Sequence, residues 1–222
     1  MSNILVVPDT HYPFQHIGIT DFVRDAIRQY DIDEVLFTGD ILDQYASSLF
    51  KKSPYAKSAS DELKAAQKDL KKLYKAIGDL PTRIVLGNHD NRHLKRGMEV
   101  NLPNEMMLGL KQLIEAPAHY KFGSKFKLPG NIHTEHGEGY SGQSAPLSLI
   151  RNIRTNVIIG HLHSQFSITY NSNGDMTLWA LIAGCMIDVD SYAFQYGSTM
   201  KDKPVCGLSV ISNGVPILIP VG

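Results

Sequence analysis

Short runs of apolar, mostly β-branched residues recur along the first two thirds of the chain, and most of them stop at a glycine or a proline. Short apolar runs that end at such turn signals are typical of buried β-strands. The pattern predicts strands at Ile4–Val7, Val35–Thr38, Arg83–Leu86, Ile132–Glu135 and Val157–Ile159.

Segments with helical periodicity separate these runs. The clearest begins at Ser60 and ends at Ile77, with apolar residues every three or four positions and lysines on the opposite side. The other predicted helices run from Thr20 to about Tyr30, over Asn104–Glu115, and onward from Ser144. The first two thirds of the chain therefore alternate between strand and helix.

The last third has a different pattern. Two pairs of apolar segments each flank a short polar turn that contains Asn and Gly, which predicts two β-hairpins. The paired segments are Phe166–Tyr170 with Met176–Leu181, and Val205–Ile211 with Val215–Ile219. Residues Lys121–Pro129 are mostly polar and are interpreted as a loop. We expect a single layered α/β domain over residues 1–222, in which the hairpins complete the sheets.

Composition narrows the range of functions. Hydrophobic residues make up 43% of the chain, and 22 basic residues balance 22 acidic ones, which excludes a protein that coats nucleic acid through bulk positive charge. Cys185 and Cys206 lack the spacing of a zinc site or a disulfide framework and are interpreted as buried thiols. Because the pattern contains neither a signal peptide nor a membrane span, the expected location is the cytoplasm.

Residue types that bind metal ions follow directly after five of the predicted strands. They are Asp9 and His11, Asp40 and Asp43, Asn88 and His89, His136, and His161 and His163. Ligands of open α/β sheets bind outside the carboxyl ends of the strands, so these side chains are expected to converge on one rim.

The chemistry of this set predicts a pair of cations. Carboxylate, amide and imidazole groups together suit Mn²⁺, Fe or Zn²⁺, and the set includes no thiolate. The nine residues can supply seven ligands, which exceed the needs of one ion, whereas two ions about 3.5–4 Å apart with a bridging carboxylate would use all seven. Such a pair stabilises the attacking and leaving oxygens of a phosphoryl displacement.

The ordered motifs D-x-H, G-D-x-x-D, G-N-H-D, a later His and G-H-x-H resemble those of the calcineurin-like metallophosphoesterases. The resemblance extends from Asp9 to His163. It implies an α/β fold, a four-layer α/β-β/α sandwich with mixed sheets. It also implies a dinuclear centre with two divalent ions, for which Mn²⁺ is favoured over Fe, Zn²⁺, Ni²⁺ and Mg²⁺.

The same resemblance implies a role for each matched residue. Asp9, His11 and His163 would hold one ion, Asn88, His136 and His161 would hold the other, and Asp40 would bridge them. His89 would protonate the leaving oxygen or stabilise its charge, and Asp43 would orient His89. A hydroxide bridging the two ions would attack phosphorus in line with the leaving group.

Three assignments stay open at this level. His133 lies three residues before His136, and because positions of opposite parity in a strand face opposite sides, only one of the two points at the metals. Arg92 either binds a substrate phosphate or braces its loop through a salt bridge. Tyr45 either forms part of a substrate-binding wall or packs against the following helix.

The expected activity is that of a phosphatase or phosphodiesterase on small or nucleotide phosphates. The nuclease branch of the family shares G-N-H-D, so a DNA nuclease or DNA-end processing enzyme is the alternative, with nucleic acid as a partner. Gln44 stands where the protein phosphatases carry Arg after G-D-x-x-D, which disfavours protein dephosphorylation. A non-catalytic scaffold is disfavoured because the motif residues are retained. No membrane partner is expected, and the oligomeric state is left open.

Overall fold

Two mixed β-sheets face each other at the centre of the protein, in a computed structural model that describes residues 2–49, 52–194 and 201–221. The strands are β1 (Ile4–Val7), β2 (Glu34–Phe37), β3 (Thr82–Val85), β4 (Lys121–Gly123), β5 (Lys125–Leu128), β6 (Ile132–Glu135), β7 (Asn156–Ile159), β8 (Phe166–Ser172), β9 (Thr177–Ala183), β10 (Gly207–Ser212) and β11 (Val215–Pro220). The helices are α1 (Ile19–Gln29), α2 (Ala59–Ile77), α3 (Arg92–Glu99), α4 (Leu110–Leu113) and α5 (Ala145–Ile153), with 3₁₀ turns at Tyr45–Ser47 and Asn104–Met106.

The first sheet has the strand order β11-β10-β1-β2-β3-β4, and the second has the order β5-β6-β7-β9-β8. Strands β1 to β4 are parallel, and so are β6, β7 and β9, whereas β5, β8, β10 and β11 run antiparallel to their neighbours. Within each sheet, the carboxyl ends of the parallel strands therefore lie at the same end of the sheet.

Apolar residues on both faces of each sheet produce four layers. Helices α1 and α2 cover the outer face of the first sheet, where Leu70 and Val35 belong to one buried cluster. The facing sides of the two sheets share a second cluster that includes Val6 and Leu181. Helix α5 covers the second sheet through a further cluster that includes Leu149. The predicted fold class, a four-layer α/β-β/α sandwich with mixed sheets, is confirmed.

The loop predicted at Lys121–Pro129 is wrong, because β4 and β5 occupy this segment. Strand β4 pairs with β3 in the first sheet, and β5 pairs with β6 in the second. Phe122 packs against the core of the first sheet and Phe126 against the core between the sheets. Two strands of three and four residues give too little alternation to stand out among lysines and glycines.

The predicted helix over Asn104–Glu115 is also wrong in its extent. The segment forms a 3₁₀ turn and the four-residue helix α4, separated where Gly109 adopts extended backbone before α4. The start of α2 lies earlier than predicted, because the Oγ of Ser58, rather than Ser60, accepts a hydrogen bond from the main-chain N–H of Asp61 at 3.1 Å.

Candidate metal centre

The ends of five strands bring all seven predicted metal ligands together at one rim of the sandwich. The ligands are Asp9 and His11 after β1, Asp40 after β2, Asn88 after β3, His136 after β6, and His161 and His163 after β7. Both sheets contribute, so the set is complete only after the two sheets have packed against each other.

Asp9, His11 and His163 form the first triad. His163 Nε2 lies 3.1 Å from Asp9 Oδ2 and 3.2 Å from His11 Nε2. One ligand atom from each of the three residues lies within 4.8 Å of the others. The three residues that the family resemblance assigns to one ion therefore converge on one point.

Asn88, His136 and His161 form the second triad. His136 Nε2 lies 3.0 Å from Asn88 Oδ1 and 3.2 Å from His161 Nδ1. Asp40 Oδ2 lies 3.2 Å from His136 Nε2 and 3.7 Å from His11 Nε2, so this carboxylate stands between the two triads. That is the position expected of a bridging carboxylate.

The spacing of the donor atoms fits a metal coordination sphere. Ligand bonds of about 2.0–2.1 Å place neighbouring donors about 3.0 Å apart around an octahedral ion and about 3.3 Å apart around a tetrahedral one. The closest contacts within the two triads fall at 3.0 to 3.2 Å. The residues therefore fit divalent cations in both their chemistry and their separation.

The side chains of His133 and His136 point in different directions. His136 turns into the cluster, and its Nδ1 donates a hydrogen bond to the main-chain carbonyl of Thr38 at 2.9 Å. His133 instead places Nε2 3.1 Å from Glu135 Oε2. Strand parity sends the two imidazoles to opposite faces of the second sheet.

Two glycines allow the backbone to approach the carboxylates closely. A Cβ atom on Gly87 would lie 2.1 Å from Asp40 Oδ1, and one on Gly160 would lie 2.1 Å from Asp9 Oδ1. Neither distance leaves room for a carbon atom. The glycines of G-N-H-D and G-H-x-H are thus required by the packing of the ligands rather than by turn geometry alone.

Three of the predicted ligands adopt left-handed backbone conformations. The φ angles are 49° at His11, 50° at Asp40 and 65° at His161. Non-glycine residues in this region cost about 1–3 kcal/mol each and concentrate at functional sites. Here the three residues lie in the loops that follow β1, β2 and β7.

Burial and charge oppose each other in setting the pKa values of His136, Asp9 and Asp40, and act together at His11 and His161. Burial lowers the pKa of His136, but the carboxylates of Asp9 and Asp40 outweigh burial and raise it to about 10. Burial also raises the pKa of each of these carboxyls, yet the neighbouring imidazoles, His136 foremost, outweigh it and hold both below their usual range. Burial, reinforced by neighbouring imidazoles, lowers the pKa of His11 and of His161.

Asp43 contacts two of the histidines. Its Oδ1 accepts a hydrogen bond from His11 Nδ1 at 2.8 Å and lies 3.3 Å from His89 Nδ1. His89 Nδ1 also donates to the main-chain carbonyl of Asp43 at 3.0 Å. The structure thus places Asp43 beside His89 and adds a shorter contact with His11. Burial lowers the pKa of His89, but the hydrogen bond with Asp43 and the charge of Asp40 outweigh it and raise the pKa.

Arg92 lies against His89 rather than in open space. Its Nη1 donates to the carbonyl of Asp43 at 2.9 Å, and its Nη2 lies 2.7 Å from His89 Nε2. This geometry is the loop-bracing one of the two that the sequence allows. Binding of a substrate phosphate by Arg92 stays a prediction.

Tyr45 lies in an aromatic cluster close to the rim. Its ring makes edge contacts with Phe14 and Tyr192, and its hydroxyl accepts a hydrogen bond from the main-chain N–H of Ser53 at 2.8 Å. The structure therefore shows Tyr45 in a packing role. Its contact with a substrate stays a prediction.

Thr38 is not a predicted ligand itself, but it holds two of the predicted ligands in place. Its hydroxyl donates to Asp9 Oδ1 at 3.1 Å, and its carbonyl holds His136 through the hydrogen bond described above. Sequence reasoning missed this residue, although it stands directly before G-D-x-x-D.

Asp90, the last residue of G-N-H-D, was also missed. It is fully buried and accepts hydrogen bonds from the main-chain N–H groups of Gly87 at 2.9 Å and Leu42 at 3.1 Å. Burial, with the nearby charge of Asp40, raises the pKa of Asp90 to about 7. Through these two hydrogen bonds the carboxyl links the loop after β2 to the loop after β3. In the sequence, only its place in G-N-H-D marks Asp90 as a functional residue.

A cavity of about 530 Å³ opens onto the cluster. It is lined by His89, by ligands from both triads, and by Phe194, Lys201 and Asp202. Cavities of this size hold small organic molecules. The arrangement therefore combines a pair of cation positions with room for a substrate beside them.

Comparison with known proteins places this geometry in a family. The sequence model of the calcineurin-like phosphoesterases matches residues 2–183, which includes every residue of the two triads. The chain belongs to the calcineurin-like phosphoesterase family. The gene 54 protein of Mycobacterium phage D29 is 24% identical over 244 residues, covering 99% of this chain and 94% of that protein.

A solved structure shows the same fold. YfcE, a phosphoesterase from E. coli, superimposes with a TM-score of 0.52 at 13% identity, over 98% of this chain and 92% of that one. Vps29 from Entamoeba histolytica, solved in complex with Zn²⁺, gives a TM-score of 0.48 at 16% identity, over 99% and 98% of the two chains. Among the residues described, no helix has the length and apolar character to cross a membrane.

Proposed function

We propose that this chain is a dinuclear metal-dependent hydrolase that cleaves small or nucleotide phosphate esters. The observation that carries the proposal is the pair of donor triads, joined by Asp40, at the base of a cavity of about 530 Å³. Family membership supports the hydrolase class. The oxygen and nitrogen donors suit two divalent ions, of which Mn²⁺ is the first choice.

Cations held by the two triads would supply Lewis acidity and a nucleophilic water near neutral pH. The remaining steps depend on the side chains that surround them. Asp43 fixes the imidazole of His11 through Nδ1, which leaves Nε2 of that ring directed into the first triad. Such a hydrogen bond sets the tautomer and orientation of a ligating histidine.

His89 is the group placed to transfer a proton to the leaving oxygen. It lines the cavity, and its Nδ1 is already engaged by Asp43, so proton transfer falls to Nε2. The hydrogen bond with Asp43 and the charge of Asp40 raise its pKa, so that once Nε2 is free of Arg92 the ring would take up the proton that a general acid requires.

Arg92 controls access to that atom. A guanidinium group only donates hydrogen bonds, so the 2.7 Å contact holds His89 Nε2 as an acceptor. An arriving phosphate would compete for the guanidinium and free Nε2 to carry the transferred proton. Substrate binding by Arg92 and proton donation by His89 are therefore one linked event in our proposal.

Two features favour small phosphate esters over a nucleic-acid strand. The cavity has the volume of a small-molecule site. The lysines of α2, which could follow a phosphate backbone, lie on a helix that covers the outer face of the first sheet. Two of them are already paired, Lys71 with Glu115 at 2.8 Å and Lys72 with Asp69 at 2.7 Å.

Gln44 argues against the protein phosphatase alternative. It occupies the position after G-D-x-x-D and turns away from the rim. Its side chain accepts a hydrogen bond from the main-chain N–H of His93 at 2.8 Å and donates to the carbonyl of Asp90 at 2.9 Å. It supports the neighbouring loop and offers no cationic group to a phosphate.

The test is a metal-dependent rate comparison. The protein is stripped with a chelator and assayed on p-nitrophenyl phosphate, bis-p-nitrophenyl phosphate, nucleotides and an oligonucleotide, with Mn²⁺, Mg²⁺, Zn²⁺ or Ni²⁺ added back. Asp40→Asn removes the bridging carboxylate, and Asp25→Asn, on the exposed face of α1, is the matched control. We expect turnover that returns with metal, survives Asp25→Asn and is abolished by Asp40→Asn.

The alternatives give different results in the same assay. Cleavage of the oligonucleotide without activity on the small esters would favour the nuclease. Two bound ions per chain, counted by elemental analysis, with no turnover of any ester would favour a non-catalytic scaffold.

A further inference from the structure

The two sheets differ in how their edges are protected. Among the residues that the structure describes, the first sheet ends at β11 and β4, and the second ends at β5 and β8. An edge strand presents a row of unpaired N–H and C=O groups, and proteins usually protect it with short length, lysine or proline.

Three of the four edges carry such protection. Strand β4 has three residues, and β5 has four, of which two are lysines. Strand β11 contains Pro216 and Pro220. The main-chain N–H of Val221 donates inward to Cys206 at 3.0 Å, so by alternation the prolines stand where an N–H would point outward.

Strand β8 has none of these devices. It spans seven residues, Phe166–Ser172, without a charge or a proline, and within the described part of the chain it pairs with β9 alone. In the adjoining turn the N–H of Asn173 donates to the carbonyl of Met176 at 3.1 Å, which makes this an inward-facing pair. By alternation, the backbone groups of Phe166, Ile168, Tyr170 and Ser172 point outward.

We propose that β8 pairs antiparallel with β8 of a second copy of this chain, across a two-fold axis at Thr169. In this register Phe166 lies opposite Ser172 and Ile168 opposite Tyr170, so all four outward residues of each strand are paired. A two-fold axis brings like groups together, and the absence of charge along β8 removes the repulsion that would oppose self-pairing.

The surroundings of β8 fit this occupant. Tyr170 and Val215 are each 53% exposed. Trp179, the neighbour of Tyr170 across the β8–β9 pair, donates through Nε1 to the carbonyl of Gly214, so these apolar groups share one side of the sandwich. Pairing of β8 would bury part of this surface and join the second sheets of two copies into one continuous sheet.

The proposal is independent of the proposed function. Strand β8 runs antiparallel to β9, so its Phe166 end lies toward the metal rim and its Ser172 end lies away from it. Antiparallel pairing would therefore place the two rims at opposite ends of the shared sheet. Hydrolysis is expected to be equal in monomer and dimer.

The first test removes an outward donor. Tyr170→Pro deletes an N–H that faces away from β9, so the internal ladder is kept. By symmetry two intermolecular hydrogen bonds are lost, and we expect the dimer dissociation constant in sedimentation equilibrium to rise at least about tenfold. Circular dichroism confirms that the variant is folded.

The second test reports the register without altering the backbone. Thr169 would face its symmetry mate in a non-hydrogen-bonded pair with Cα atoms about 4.5 Å apart, which is within disulfide range. Thr169→Cys, treated with oxidised glutathione, is expected to give a covalent dimer on a non-reducing gel. Ser167→Cys, which would face Asn171 of the second copy, and the unaltered chain with its two native cysteines are the matched controls.

A chain that stays monomeric at all concentrations would overturn the proposal. So would a dimer that survives Tyr170→Pro and is not cross-linked through Thr169→Cys, because it would use another surface. A covalent dimer with Thr169→Cys and none with Ser167→Cys would support the register.

Discussion

The two sides of the metal rim differ in burial and in what holds them. Asp9, His11, Asp40 and His136 form a floor, with exposed fractions of 0 to 5%. Asn88, His89, His161 and His163 form a partly exposed wall, which lines the cavity together with Asp40. The floor is fixed by hydrogen bonds and close backbone contacts, whereas the wall has space beside it. Floor residues should therefore matter to both folding and metal binding, and wall residues mainly to metal and substrate.

The largest effect is expected from adding one methyl group beneath the floor. In Gly160→Ala the new Cβ would lie 2.1 Å from Asp9 Oδ1 and 2.5 Å from Thr38 Oγ1, so Asp9 must move. We expect a loss of about 3 kcal/mol of unfolding free energy in denaturant titration, together with loss of metal binding. Gly174→Ala, where no atom lies within 4 Å, is the control and should leave both unchanged. Normal metal affinity in Gly160→Ala would contradict the close packing described here.

Removal of a wall ligand should impair the metal site with little effect on folding stability. His163→Ala removes one ligand of the first triad, and the cavity leaves space for water in its place. We expect activity to fall at least about a hundredfold with less than about 1 kcal/mol lost from the unfolding free energy of the metal-free protein. His133→Ala, a partly exposed histidine outside the cluster, is the matched control. Equal destabilisation by His163→Ala and Gly160→Ala would remove the distinction between wall and floor.

The hydrogen bond beneath Asp9 gives a smaller effect. Thr38→Val keeps the shape of the side chain but removes the donor to Asp9 Oδ1. We expect a loss of about 1–3 kcal/mol in stability and about 10–100-fold in metal affinity, measured by denaturation and by calorimetric titration. Thr134→Val is a close control, because Thr134 is fully buried and its hydroxyl has no partner among the described residues. If both variants behave alike, the hydrogen bond to Asp9 does not support the site.

The same comparison shows what a sequence can predict. Each ligand directly follows a strand, so local apolar runs and motif spacing were enough to name Asp9, Asp40 and Asn88. Contacts between these loops are not local: Thr38 and His136 are 98 positions apart, and His11 and His163 are 152 apart. The supporting residues were missed because their partners belong to other strands. Alternation predicted a layered α/β domain, and the family resemblance implied its four layers. Strands β4 and β5 were missed because three or four residues are too few to show a periodic pattern.

The smallest expected effect is a pH dependence of stability, which arises from the protonation of His136 in the floor. In the metal-free protein the folded-state pKa of His136 is about 10, above its ordinary value of 6.5. A raised imidazole pKa contributes stability that is fully present below about pH 6.5 and is lost as the pH rises through about 10. The unfolding free energy of the metal-free protein should therefore decline over this window, and His136→Asn should flatten the decline.

Metal binding should show the reverse dependence, because a cation displaces the proton from His136. Apparent affinity should rise about tenfold per pH unit below the folded-state pKa, with about one proton released per chain at pH 8. The lowered pKa values of His11 and His161 leave these rings neutral at that pH, so they release none. Calorimetric titration in buffers of different ionisation enthalpy counts the protons directly. A count of zero at pH 8 would show that Asp9 and Asp40 do not hold a proton on His136, and that the floor is not organised by charge before metal enters.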